Sequence, residues 1–410
     1  MNIGLTTKLS RTLLPALFSL GVLASSQAAE LDGYELLSQP FEVRDIPAGT
    51  PLEGHGKGAK KFGYRIPSLL VTEGGSVLAF SERRIGLHDH AQNDIVLKRS
   101  TDGGKTWGPE IVVVEDGMNS INDPLTVQLK SGRIVMMYAR FPYGRHSRAS
   151  GWVKMAELGY DNPALNILTF TTTSDDDGKT WSKPVDISRS VKTERTLNAN
   201  TPGHMIQLEK GPNKGRIVTG LWQTIPVKQA DGSMGREWLV TCAYSDDQGV
   251  TWKSTPPLKD VSGKGYPNEC QVIEASNGDV VMISRNQGGE KFRKKAISKD
   301  GGITWSDIQI DPTMPSVACM GGLARGPVKA NGEWDLFASF PSNAGRKNGQ
   351  IALSTDHGQT WQIKKIIPGA FAYSCVFMAP DGKSLLCLYE SSGYKTQSLI
   401  SIPLSELVAE

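Results

Sequence analysis

Beyond its first thirty residues, this chain has no apolar run approaching the roughly 20 residues that a membrane-spanning helix needs. Cysteine is scarce. Five occur in 410 residues, at Cys242, Cys270, Cys319, Cys375 and Cys387, and none form a C-x-x-C pair. That scatter argues against thiol redox chemistry and against a cysteine-built metal site, and the odd count leaves at least one thiol unpaired. A dominant charge is missing too, with 45 Lys+Arg against 42 Asp+Glu. No basic block offers a face to nucleic acid, so electrostatics act only locally. Pro/Ser-rich linkers and low-complexity tracts are absent. Length alone favours two or more domains, but the lack of any linker makes one large domain the economical reading.

The N-terminus has the layout of a secretory signal. Lys8 and Arg11 form a basic region, Thr12 to Ala24 is apolar, and Ser26-Gln27-Ala28 is a small-x-small cleavage pattern. The apolar stretch is too short to span a membrane. Cleavage is expected near Ala28 or Ala29, which makes residues 1–29 a removed leader and 30–410 a single exported domain, periplasmic or extracellular.

The pattern Ser-x-Asp-x-Gly-x-Thr-Trp occurs five times, beginning at Ser100, Ser174, Ser245, Ser298 and Ser354. Repetition at this period means copies of one supersecondary unit. Asp, Gly and Thr supply a tight turn after a strand, and the Trp leads into the next strand. The motif lacks the terminal Glu of a calcium-binding EF-hand loop, so it reads as a turn stabiliser. Around each copy the order is strand, short Gly turn, strand, longer loop, strand, box, strand. That is one four-stranded propeller blade. After the fifth box come a hairpin around Asp381-Gly382 and a third strand, Gln397–Pro403. Gln39–Val43 can supply the missing fourth strand and close the ring, hiding its edges. The expected fold is all-β, a six-bladed propeller of four-stranded antiparallel blades.

Residues equidistant from a tight hairpin turn face each other. Around Gly74-Gly75 this places Arg65 opposite Arg84, a destabilising pair unless something anionic lies between them. Around Asp381-Gly382, Tyr373 faces Glu390. Around Asn277-Gly278, Glu269 falls within one residue of Arg285. Around Ser131-Gly132, Asp123 faces Arg140. All lie at strand ends far from the short turns and the boxes. The loops carrying Asp89 and Arg346 open on the same face. Arginines around an axis point to an anionic ligand, a carboxylate or a phosphate. A carboxylate beside a tyrosine, with another on a loop, points to general acid–base chemistry.

These residues resemble the sialidase (exo-α-neuraminidase) family across about Tyr64 to Glu390. Tyr64-Arg65-Ile66-Pro67 resembles that family's Arg-Ile-Pro signature, and the five repeats resemble its Asp boxes. The resemblance implies that Arg65, Arg285 and Arg346 clamp a substrate carboxylate. It implies that Tyr373 is the nucleophile, Glu269 the carboxylate that activates it, and Asp89 the general acid/base. Glu390 would steady the first arginine, while Arg84 and Asp123 would contact the sugar's 4-hydroxyl and amide side. Asp94 is the alternative acid, ranked lower because it begins a strand. The implied substrate is a sialylated glycoconjugate, cleaved with retention and without metal or organic cofactor. Ala318-Cys319-Met320-Gly321-Gly322 and the loop from Phe141 to Asn166, with Trp152, depart from the family pattern and bear on substrate preference. The competing readings are an enzyme for another 2-keto-3-deoxy sugar acid, a transglycosidase, or a propeller that only binds acidic glycans.

Overall fold

All five Ser-x-Asp-x-Gly-x-Thr-Trp segments fold into the same turn. In the fourth copy, Ser298 Oγ donates to Asp300 Oδ1 (2.8 Å), Thr304 donates to Asp300 through both its amide (2.9 Å) and its hydroxyl (2.6 Å), and Gly302 N donates to Ser298 Oγ (2.9 Å). The glycine is required twice over. Gly302 sits at φ +89°, and a Cβ there would lie 2.8 Å from Val218 of the preceding blade. Gly358 stands in the same relation to Val281, at 2.7 Å. Each box therefore closes its own turn and packs on the blade before it. The boxes lie with the short turns, as in the bonds Ser76 Oγ to Asp177 (2.6 Å) and Asn213 Nδ2 to Asp300 O (2.9 Å).

The computed structural model of the chain describes residues 1, 30, 31, 33–145, 165–192 and 196–408. The expected leader, 1–29, apart from its first residue, and most of the Phe141–Asn166 loop, Trp152 included, lie outside the described residues. Six antiparallel sheets form the ring. Blade one is Lys61–Val71, Val77–Ile85, Asp94–Ser100 and Ile111–Val114. Blade two begins with Ser120–Gln128 and Ile134–Phe141. Blade three is dominated by two long strands, Ile217–Lys228 and Met234–Ser245. Blade four opens with Tyr266–Glu274 and Val280–Gln287. Blade five contains Leu336–Phe340 and Lys347–Ser354. Blade six is Ser374–Met378, Ser384–Ser391 and Thr396–Pro403, completed by Tyr34–Glu42 from the N-terminal end. The closing strand thus starts before the expected Gln39–Val43. Apolar side chains fill the spaces between blades. Leu78, Phe80 and Leu97 of blade one meet Ile134 and Met136 of blade two. Each such side chain stabilises by about 1.5–3 kcal/mol. All five cysteines are buried free thiols. Among the described residues, no helix is long and apolar enough to cross a membrane.

Two expected pairings are wrong, each displaced once because the turn centres on one residue and once more by a bulge. The first hairpin is centred on Gly74, with Thr72 N bonded to Ser76 O (2.9 Å), and a bulge interrupts its inner strand between Arg65 and Ser68. Arg65 therefore lies opposite Glu82, not Arg84. A second bulge, between Asn122 and Leu125, puts Arg140 opposite Ile121, and Arg140 pairs instead with Asp116 (2.5 Å). Both bulges hold a residue before proline in the left-handed region, Ile66 at φ 60° and Asp123 at φ 59°. For Ile66, β-branched and before proline, that conformation is strained by about 1–3 kcal/mol. The other two pairings stand. Glu390 N donates to Tyr373 O (3.0 Å), and Arg285 pairs with Glu269 (2.8 Å).

The box aspartates are expected to hold structure. Asp300→Ala is expected to lower stability by roughly 1 kcal/mol for each turn hydrogen bond lost. It should leave the turnover of the surviving folded protein unchanged. Turnover lost at undiminished melting temperature would put the boxes on the wrong face. The threonine hydrogen bonds hold Asp102 and Asp176 down from 3.8 to about 2. Their stabilising contribution is complete above about pH 4 and is lost as pH falls toward 2.

Candidate active site

On the face away from the boxes, the blades converge on a cavity of about 610 Å³. Its lining includes Arg65, Arg84, Asp89, Asp123, Glu269, Arg285, Arg346 and Tyr373. Eight of the nine residues picked out from sequence therefore meet in one place, and the ninth, Glu390, lies just beneath. The alternative acid, Asp94, pairs with Arg83 (2.6 Å) and does not line the cavity.

Tyr373 is the centre of the arrangement. Its hydroxyl donates to Glu269 Oε1 at 2.5 Å and accepts from Arg285 Nη1 at 2.9 Å. Arg285 Nη1 also reaches Glu269 Oε2 (2.8 Å), and its Nε donates to Gln287 (2.9 Å). The guanidiniums of Arg65 and Arg346 stand 5.4 and 5.3 Å from the Tyr373 ring centroid. Burial, then the negative charge of Glu269, pushes the phenol well above its ordinary proton affinity. At neutral pH Tyr373 is a neutral hydroxyl with a base already on its proton and three cations around it.

Glu390 positions Arg65. It is 1% exposed and accepts from Arg65 Nε (2.5 Å), Ile66 N (2.9 Å) and Tyr373 N (3.2 Å). Burial opposes the charge on Arg65, and Glu390 more than offsets it. Arg346 donates to Tyr394 Oη (3.0 Å), whose ring also lies 4.4 Å from the Arg65 guanidinium.

The opposite wall belongs to Asp89 and Asp123. Asp89 is 66% exposed at its side chain and accepts from Arg84 Nη1 (2.5 Å). Partial burial works against its charge, but Arg84, with help from Arg65 and His90, outweighs that and holds the carboxyl at about 2. Asp123 behaves oppositely. Burial and the charges of Glu82 and Glu269 push it well above the usual carboxylate range.

Sequence reasoning missed several groups. Glu82 lies two residues before Arg84 on the same strand face, and the Gly74-centred turn and the bulge together place it opposite Arg65. Tyr394 sits in a turn at φ 69° and carries no motif. Trp222, Trp238 and Tyr266 stack in a row along one cavity wall, with centroids 5.7 and 4.7 Å apart. The unusual length of the blade-three hairpin was their available signal.

The six-bladed box propeller thus presents an arginine-lined pocket around a tyrosine–glutamate pair, an arrangement suited to an anionic ligand. Residues 75–386 match the BNR repeat-like domain. A sialidase of Micromonospora viridifaciens is 31% identical over 395 residues, covering 92% of this chain and 57% of that protein. A sialidase of Paraclostridium sordellii is 30% identical over 292 residues, covering 68% of this chain and 67% of its own. The solved intramolecular trans-sialidase from Ruminococcus gnavus, in complex with oseltamivir carboxylate, shares the fold at TM-score 0.68 and 20% identity, over 85% of this chain and 96% of that one. The chain belongs to the sialidase family. It spans a little over half the length of the M. viridifaciens relative.

Glu390→Gln should be strongly destabilising. The amide keeps an acceptor but turns an NH₂ group toward donors that are already buried. Removing one partner of a buried ion pair typically costs about 3–5 kcal/mol. Denaturant unfolding measures this, and a loss below about 1 kcal/mol would show that Glu390 does not hold the Arg65 bulge.

Proposed function

We propose that the protein is an exported exo-α-sialidase. In this reading, residues 1–29 are a cleaved signal and residues 30–410 are one catalytic propeller. Its substrate is a terminal α-ketosidically linked sialic acid on a glycoprotein, glycolipid or oligosaccharide. The observation that carries the reading is the Tyr373 hydroxyl, 2.5 Å from Glu269 and 2.9 Å from Arg285 within an arginine-lined pocket.

Sialic acid carries a carboxylate on its anomeric carbon. Arg65, Arg285 and Arg346 hold that carboxylate through charge-assisted bonds. An anionic nucleophile would be repelled by it, and a neutral phenol is not. Sialidases are the tyrosine exception to the usual paired-carboxylate glycosidase. Tyr373 Oη attacks the anomeric carbon as Glu269 takes the phenol proton. The glycosidic C–O bond breaks, and the leaving oxygen takes the proton of Asp89. Water then gives a proton to Asp89 and attacks the same carbon. The tyrosyl oxygen departs and recovers its proton from Glu269, so configuration is retained. Asp89 must be protonated to act as acid. Substrate supports this, because its carboxylate offsets Arg65, one of the cations that hold Asp89 low. Arg84 and Asp123 contact the 4-hydroxyl and amide side. Glu390 keeps Arg65 aligned.

The decisive assay is release of sialic acid from a fluorogenic α-ketoside and from an unactivated sialylated glycan. Tyr373→Phe should lose most turnover on both. Asp89→Ala should lose roughly 10²–10⁴-fold on the glycan and far less on the fluorogenic ketoside, whose leaving group needs little protonation. Full activity of Asp89→Ala on the glycan would move the acid elsewhere. The product also identifies the acceptor. Hydrolysis gives free acid, and internal transfer, the activity named for the R. gnavus neighbour, gives a product lighter by one water.

Arg285→Lys keeps the charge but loses the planar two-bond contact, so its turnover should fall between those of wild type and Arg285→Ala. On a substrate whose carboxylate is converted to an uncharged amide, wild type should perform poorly and the arginine variants little worse. Equal cleavage of acid and amide by wild type would refute the carboxylate clamp.

A further inference from the structure

The bond network around Asp89 ends on a buried residue that does not line the cavity. Glu82 lies on the second strand of blade one and is 0% exposed. Its Oε2 accepts from Arg84 Nε (2.7 Å) and from Asn122 Nδ2 (3.1 Å), and it lies 2.6 Å from Arg84 Nη2. Its Oε1 accepts from Asp123 N (2.7 Å) in the strained bulge. Two of these contacts lead to Asp89. Arg84, held through Nε and Nη2, presents Nη1 to the Asp89 carboxylate (2.5 Å). Asn122, held through the same Nδ2, donates to the Asp89 carbonyl (3.0 Å). Glu82 thus grips the acid by its side chain and by its backbone.

The arrangement has a counterpart on the same ring. Glu390, on the second strand of blade six, binds an arginine Nε and the bulge amide of Ile66 on blade one. Glu82, on the second strand of blade one, binds an arginine Nε and the bulge amide of Asp123 on blade two. Glu390 serves the carboxylate clamp. Nothing in the reaction scheme above uses Glu82.

We propose that Glu82 is a positioning residue for the general acid, fixing Arg84 and Asn122 and through them the place and charge of Asp89. This rests on the assignment of Asp89 as acid. A fully buried Glu82 cannot release Arg84 without leaving an unpaired charge, whereas the exposed Asp89 can turn from Arg84 toward a leaving group. The charged and titratable groups around Asp89 are Arg84, Glu82 and Arg65 on the blade-one strands, His88 and His90 on its own loop, His55 stacked on His88 (3.9 Å), and Asp123 on the same cavity wall. Removing the Glu82 charge leaves Arg84 to Asp89 alone. That favours the Asp89 carboxylate, so protonated acid becomes scarcer at a given pH.

The test compares wild type with Glu82→Gln on the glycan and the fluorogenic ketoside across pH. Loss of acid positioning lowers kcat on the glycan about 10- to 100-fold and changes the ketoside about threefold or less, within the span of general-acid catalysis. The basic limb of the glycan kcat profile moves to lower pH. Equal losses on both substrates, with unmoved limbs, would make Glu82 a structural residue only and overturn the proposal. If Glu82→Gln does not fold, Glu82→Asp carries the test. It keeps the charge, so the limb stays in place while the glycan-selective loss remains, and equal losses again overturn it. A second readout needs no substrate. In ¹⁵N-arginine-labelled protein, the Arg84 Nε–H signal, assigned by its absence in Arg84→Lys, is protected from solvent exchange in wild type and loses protection in the Glu82 variant. Protection retained in that variant sinks the proposal even if the protein has no sialidase activity. Wild type inactive on both substrates, with protection lost as expected, refutes the assigned reaction and leaves the grip on Arg84 standing.

Discussion

A buried glutamate that accepts from an arginine and from the backbone amide of the next blade is the contact on which this pocket depends. At Glu390 the bond to Ile66 N holds a left-handed, pre-proline isoleucine that the free chain disfavours. That bulge turns Arg65 toward the axis. The strain is local, and the compensating bond comes from a strand at the other end of the sequence. Functional geometry is maintained here by coupling between blades, while each blade by itself is an ordinary sheet.

The electrostatics follow from how these buried charges are shared. Three arginines would repel one another in an empty pocket, and each is tempered by an acceptor: Glu390 for Arg65, Glu269 for Arg285, the Tyr394 hydroxyl for Arg346. Each acceptor leaves part of its guanidinium available to a ligand. Tyr373 shares the acceptor of Arg285, so in the proposed reaction the cation that would bind the substrate carboxylate also steadies any negative charge that develops on the phenol. The same pocket drives two carboxyls apart. Asp89 beside Arg84 is held low, and Asp123 beside Glu82 and Glu269 is held high.

The blade count, the ring closure and the choice of pocket face were legible in the sequence, because the boxes mark each third strand and the Gly turns mark each hairpin. Tyr373–Glu390 and Glu269–Arg285 were legible from turn-centred counting. Arg65 and Asp123 were not correctly paired, because each turn centres on one residue and each inner strand carries an extra residue just before proline. Ile66-Pro67 and Asp123-Pro124 were the available warning, since proline inside a central strand marks a bulge. Glu82 was hidden for the same reason. Its importance comes from a two-residue shift, one from the turn centre and one from the bulge, that places a carboxylate where a second arginine was expected. Tyr394 and the Trp222–Trp238–Tyr266 row depend on loop geometry that no short motif encodes.

The closing strand has a consequence for how the molecule comes into being. Gln39 and Ser398 are hydrogen-bonded (3.3 Å) at a separation of 359 residues, and Arg65 meets Glu390 across 325. Contacts this remote are the last to be assembled, since loop-closure entropy must be overcome before they contribute. During synthesis, the earliest strand waits unpaired until the latest one has emerged. No shorter nascent chain has an aligned Arg65, however many blades it has stacked. The complete pocket therefore arrives in a single event at ring closure, and a chain still being synthesised carries a stack of blades without the site they later share.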